Sequence, residues 1–205
     1  MDLARFFLGQ HAATHASDVY EGRTPGSDRV FADLSDDQMR ARPGQGINSL
    51  VWLLWHMART EDVAVNLVVA ARAQVFDDGW ARRMNVARCD MGTGMTADEV
   101  AELTGRAAVA AVRAYRSAVG RRTREVVRGL RPEAWDETLG LEDTTRAAGV
   151  EAFGPNDDWI DGVGHRPWQG LTRGDQLGNT AIRHNTAHVG EAVTIRGLAG
   201  FGLGI

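Results

Sequence analysis

The stretch Thr172–Leu198, TRGDQLGNTAIRHNTAHVGEAVTIRGL, restricts the fold more than any other part of this chain. Leu177, Ala181, His184, His188, Ala192, Ile195 and Leu198 recur at spacings of three and four, the signature of a helix that buries one stripe. Thr172 with Asp175 three residues on forms an approximate capping box, and Gly197 and Gly200 mark the end. The stripe carries His184 and His188 inward. Residues four apart lie one turn above each other on the same face, so the two imidazoles can converge on one point. A third ligand would complete a metal site.

A chain of 205 residues predicts one domain, residues 1–205, with a core that needs neither disulfides nor a structural metal, so a metal here would be functional. Hydrophobic residues make up 43%, charged residues 24%, and the net charge is −4. That balance, with no basic patch interleaved with aromatics, speaks against nucleic acid as a partner. All 23 basic residues are arginine, which suggests high-GC coding and a bacterial chain. Cys89 is the only cysteine, so no intramolecular disulfide forms and a reducing compartment is expected. The first twenty residues lack a signal-peptide layout, and the longest apolar stretch, Leu50 to Ala73, is interrupted by His56, Arg59, Glu61, Asp62 and Arg72. Neither a membrane partner nor a membrane span is expected, and the predicted location is cytoplasmic.

Residues 2 to 20 predict a first helix, in which His11 and His15 repeat the four-residue spacing and form a rival pair. They lack an apolar setting as tight as that of the later pair, which places them at the surface or behind the ligands. EGRTPGSDRV predicts a loop and Ser35–Arg40 a helical turn. Asn48 or Ser49 caps a second helix, SLVWLLWHMARTEDVAVNLVVAARA, with Ser49, Trp52, Leu53, His56, Thr60, Val63 and Leu67 on one face. His56 is the one ionisable member of that face, a desolvated imidazole that needs a partner. Thr96 caps a helical region to Gly129, weakened at Gly105 and Gly120 into a short helix and a long one. Its arginines at 113, 116, 121, 122, 124 and 128 predict a solvated face. Residues 131–171 form a long connection carrying Trp135, Trp159, His165 and Trp168, long enough to wall or lid a site. Four main helices and one long crossover predict an all-α four-helix bundle.

His56 from the second helix, with His184 and His188 from the last, would supply three neutral imidazoles and leave a fourth position open, the arrangement of a catalytic zinc-type site that also suits nickel. The plainer alternative is packed or exposed helix histidines. Position 185 is Asn where a zincin needs Glu, and no Glu-x-x-His occurs for a di-iron bundle.

The segments SLVWLLWHMARTED and AIRHNTAHVGEAVTIRGLAG resemble the DinB-like superfamily, the damage-inducible metal-binding bundles related to mycothiol-dependent maleylpyruvate isomerase and bacillithiol S-transferases. In that family a histidine follows an apolar-aromatic run on the second helix, and His-x-x-x-His-x-Gly-(Gln/Glu) lies on the fourth. Here those positions are His56, His184, His188, Gly190 and Glu191. The resemblance implies an up-down-down-up bundle, zinc or nickel as cofactor, and a homodimer. The long 131–171 segment departs from the better-studied thiol transferases.

The expected activity is therefore that of a divalent-metal-dependent enzyme whose three histidines activate a small thiol or water, most simply a thiol S-transferase or isomerase with a thiol or thiol adduct as partner. A non-catalytic metal- or ligand-binding stress-response protein and a metal-dependent hydrolase are the alternatives. Glu191 is the candidate catalytic base, or else a simple ion-pair partner of Arg196 or of an arginine elsewhere. Trp52, Trp168 and His165 are the expected pocket residues.

Overall fold

A computed structural model describes residues 2–20, 25–154 and 168–205. Among them all regular structure is helical, with no strand; a lone bridge joins Thr138 to Thr172. Four long helical rods build the bundle: Leu3–Thr14, Leu50–Asp62 continued by Val63–Val69, Val109–Gly129, and Arg173–Leu177 continued by Gly178–His184 and Asn185–Leu198. No helix among the described residues is long and apolar enough to cross a membrane.

The caps follow the sequence. Ser49 Oγ accepts from the Trp52 N–H and also bonds Thr104 Oγ1 at 2.8 Å, so one hydroxyl starts the second rod and ties it to the Ala97–Arg106 helix. Thr96 with Glu99, Ser35 with Gln38, and Thr172 with Asp175 each close a capping box. The second rod is buried on every side, which removes any need for an amphipathic pattern there. Leu50, Leu53, Trp55 and Met57 sit at the centre of the largest core cluster with Val112, Tyr115 and Val119 of the third rod. Each such side chain contributes roughly 1.5–3 kcal/mol relative to exposure.

Several expectations are corrected. The expected loop at 21–30 contains a helix, Gly26–Phe31, whose Val30 and Phe31 join the core. The break between the short and long helices falls at residues 107–108, not at a glycine, and Gly120 lies inside the long helix. The arginine face is not uniformly solvated: Arg116 and Arg124 are buried, and Arg113 reaches back to the Phe31 carbonyl. Leu198, expected inside, is exposed. The second and fourth rods each contain a seven-residue stretch with the wider π-type hydrogen bonding, Val63–Val69 and Gly178–His184. Such stretches re-phase the side chains that follow, and the second ends on His184.

The connection before the last rod is structured where it is described. Pro132–Asp136 is a short 3-10 turn and Leu141–Ala148 a helix. Leu139 N–H donates to Leu171 O and Arg173 N–H to Glu137 O, fastening the connection to the start of the last rod. Trp159 and His165 lie outside the described residues.

Candidate metal centre

Two rods and one loop bring His56, His184 and His188 together. Their donor atoms lie within 4.8 Å of one another, and the ring centroids of His184 and His188 stand 4.5 Å apart, each 4.9 Å from that of His56. His56 is buried; the other two are half-buried.

Backbone and carboxylate partners fix which nitrogens carry protons. His56 Nδ1 lies 2.5 Å from the Met91 carbonyl, which can only accept, so Nδ1–H donates and Nε2 is left as a lone pair. His188 Nδ1 lies 2.8 Å from Glu191 Oε2, with the same result. His184 Nε2 stands 3.1 Å from His56 Nε2. Two nitrogens at that distance, one already committed as a lone pair, require a proton or a cation between them. His184 Nδ1 is buried and has no hydrogen-bond partner. Asn185 Oδ1, also buried without one, belongs to the neighbouring residue. A lone pair on His184 Nε2 turns the third imidazole toward the same point. Two bonds of 2.0–2.1 Å at a tetrahedral angle separate nitrogens by roughly 3.3–3.4 Å, so the spacing fits a cation of the zinc class.

Electrostatics agree with ligand chemistry. Burial, helped by His188, pushes His56 down to about 4, and burial with His56 and His188 pushes His184 down to about 3. Both are neutral at pH 7, the form that binds metal. Glu191 is held below the usual carboxylate range by its hydrogen bond from His188, with a further bond from Asn48 Nδ2 to Oε1 at 2.9 Å. Glu191 thus faces His188 Nδ1, on the side of the ring away from the shared point, and Arg196 is engaged elsewhere with the carbonyls of Val30, Phe201 and Gly202.

Trp52 stacks on His56 with centroids 4.7 Å apart and an interplanar angle of 15°. Beside them opens a cavity of about 400 Å³, lined by Asn48, Trp52, His56, Met95, Val100 and His184 together with residues 92–94. Trp168 is not among its lining residues; it is half-buried and packs on Phe153 at 5.4 Å. Cys89 is also half-buried.

The loop that carries Met91 is held from beneath by Arg59, fully buried, which donates to the carbonyls of Cys89 and Asp90 as well as to Gln74 Oε1 and Tyr115 Oη. Gly92 follows with φ +84°, and a Cβ there would lie 2.5 Å from the Trp55 ring, so both backbone and space demand glycine. Sequence reasoning missed Met91, Asn48, Asn185 and Arg59 as partners of the site. Only Asn48 carried a signal, as a cap candidate beside Ser49.

Comparison with known proteins places this geometry in context. The model of the DinB superfamily matches residues 26–192. A crystal structure of a conserved protein from Enterococcus faecalis superposes with a TM-score of 0.66 at 18% identity, covering 97% of both chains, a likeness of fold. Among curated proteins none matches.

Proposed function

Since this chain belongs to the DinB superfamily, we propose that its three-histidine centre holds zinc or nickel and serves an S-transferase or isomerase acting on a small thiol or thiol adduct. The observation that carries the reading is the convergence of three imidazoles beside an open cavity of about 400 Å³, within the size range of small-molecule sites. His56, His184 and His188 would hold the cation through Nε2, and the side toward the cavity is free for a fourth ligand. When bound, the cation would supply Lewis acidity that lowers the pKa of a thiol, or of water, reaching that position.

The chain's own groups do the rest. The Met91 carbonyl and Glu191 lock two imidazoles in the tautomer that presents Nε2. Trp52 covers one face of His56 and keeps water from it. Met95 and Val100 give the cavity an apolar wall, suited to the carbon skeleton of an acceptor, while Asn48 and Thr93 offer polar contacts. No side-chain thiol is required, since the thiol is the cosubstrate.

The test is conjugation. Untagged protein loaded with zinc or nickel is mixed with low-molecular-weight thiols, mycothiol among them, and an aromatic electrophile, and the adduct is followed by absorbance and mass. Metal-dependent adduct formation that stops in His188→Ala supports the reading. Metal uptake with no adduct from any thiol would assign the chain to the binding proteins instead, and product formed from water alone would make it a hydrolase.

A further inference from the structure

Beneath the three histidines lies a second polar cluster that the function above does not use. His11 of the first rod, His15 just past its end and Glu61 of the second rod are all fully buried. The sequence reading placed the two histidines at the surface or behind the ligands; they are in the interior. Glu61 Oε1 receives Thr123 Oγ1–H at 2.6 Å and His11 Nε2–H at 2.9 Å, and Oε2 receives Asn185 Nδ2–H at 2.7 Å.

Two ligands and one carboxylate within 4.8 Å of one another raise the question of a second metal. The tautomer of His15 speaks against it. Its Nδ1 accepts from the Ala16 N–H at 3.0 Å, so in the neutral ring Nε2 bears the proton and faces Glu61 Oε2 at 3.7 Å as an N–H, not as a ligand lone pair. Burial, with Arg116 next, holds His15 well below its ordinary value, so the ring is neutral. Burial alone would raise Glu61, yet His11 and the hydrogen bonds from His11 and Thr123 outweigh it and keep the group a carboxylate.

Glu61 is therefore a buried anion whose third donor, Asn185, is the residue next to His184. The remaining Asn185 atom, Oδ1, is buried without a hydrogen-bond partner, as is Nδ1 of His184, the residue before it. Three imidazole ligands bring no negative charge to a dication, and Glu191 behind His188 supplies one counter-charge.

We propose that Glu61 is the second: a positioning residue, not a ligand, that acts through Asn185 to hold the His184 ring and to supply negative charge behind the metal centre. This rests on the reading that His56, His184 and His188 bind metal. Outer partners of a ligating histidine change metal affinity by about 10- to 100-fold when removed.

The experiment is cobalt(II) titration of untagged, metal-free wild type, Glu61→Gln and Asn185→Ala, with affinity read by chelator competition and geometry by the visible d–d bands. Val126→Ala serves as a control for loss of packing alone. Wild type should bind one equivalent; both variants should bind about 10- to 100-fold more weakly with altered bands, while Val126→Ala keeps wild-type affinity and bands. If Glu61→Gln fails to fold, Asn185→Ala, which leaves the carboxylate and its other donors in place, decides. Unchanged affinity and bands in both variants overturn the positioning role while leaving the metal centre standing. Two equivalents in wild type, one of them lost in His11→Ala, overturn it by making Glu61 a ligand. No binding by wild type refutes the metal centre itself, and the positioning role with it.

Discussion

At the scale of single residues, Gly120 shows how closely the first and third rods meet. A Cβ at this position would lie 2.4 Å from His15 Cε1 and 2.6 Å from Nε2. In an open helix, Gly→Ala gains about 1 kcal/mol from propensity. Here the methyl group must displace a fully buried ring, so Gly120→Ala should instead cost about 1–3 kcal/mol, measured by urea unfolding. A stabilised variant would show that the contact is looser than described. The same contact explains what the sequence could and could not reveal. His56, His184 and His188 were legible because each falls on an inward stripe whose period can be counted. Gly120 read as a helix weakener, because only the packing of a separate rod turns its missing side chain into space for His15. Glu61 read as one acid in an interrupted apolar run, because its donors come from residues 11, 123 and 185, far apart in sequence.

At the scale of elements, the second rod does more than carry His56. Three residues further along it, Arg59 ties the rod to the loop at 89–91, to Gln74 and to Tyr115, with Asp62 at 3.4 Å. Asp62 in turn accepts from Tyr115 Oη, Asn66 Nδ2 and the N–H groups of Val75 and Phe76, which stops the chain as it leaves the rod. Removing one member of a buried charged pair costs about 3–5 kcal/mol, so Arg59→Leu should lower unfolding free energy by about that amount. It should also loosen the Met91 carbonyl from His56. A loss below about 1 kcal/mol would mean that the loop is held by other contacts, such as Met91 N–H to the Ala152 carbonyl. Element types and most caps were legible, since Ser35, Thr96 and Thr172 carry their own capping partners three residues on. The helix at Gly26–Phe31 was not, because its Gly, Pro and Ser composition mimics a loop and its reason for being helical is the burial of Val30 and Phe31. The two π-type stretches leave no periodic signature short enough to read.

At the scale of the whole molecule, the buried histidines set an acid limit on stability. His15 is held neutral well below its ordinary 6.5, so as pH falls through that value the unfolded chain takes up a proton that the folded chain refuses. Stability is then full above about 6.5 and lost as pH falls below it, at up to about 1.4 kcal/mol per pH unit for each such proton. Glu61, depressed below 4.5, adds a loss of the same sign only at still lower pH. Urea unfolding of the metal-free protein from pH 8 to pH 5 should show this fall, and His15→Gln should make it shallower by up to one proton. An equal slope in the variant would mean that His15 titrates normally.

A bound cation should oppose that loss by mass action, adding about 2.7 kcal/mol at a hundredfold excess over its Kd. The bundle already has three core clusters without it, so metal removal should leave the protein folded. The central claim is that three imidazoles from two rods form one metal centre. Elemental mass spectrometry on untagged wild type beside His56→Ala tests it most directly. The account predicts one zinc or nickel per chain in the wild type, lost in the variant while the helical circular dichroism persists. Wild type that takes up no metal even on reconstitution, or a variant that keeps the full equivalent, would contradict it.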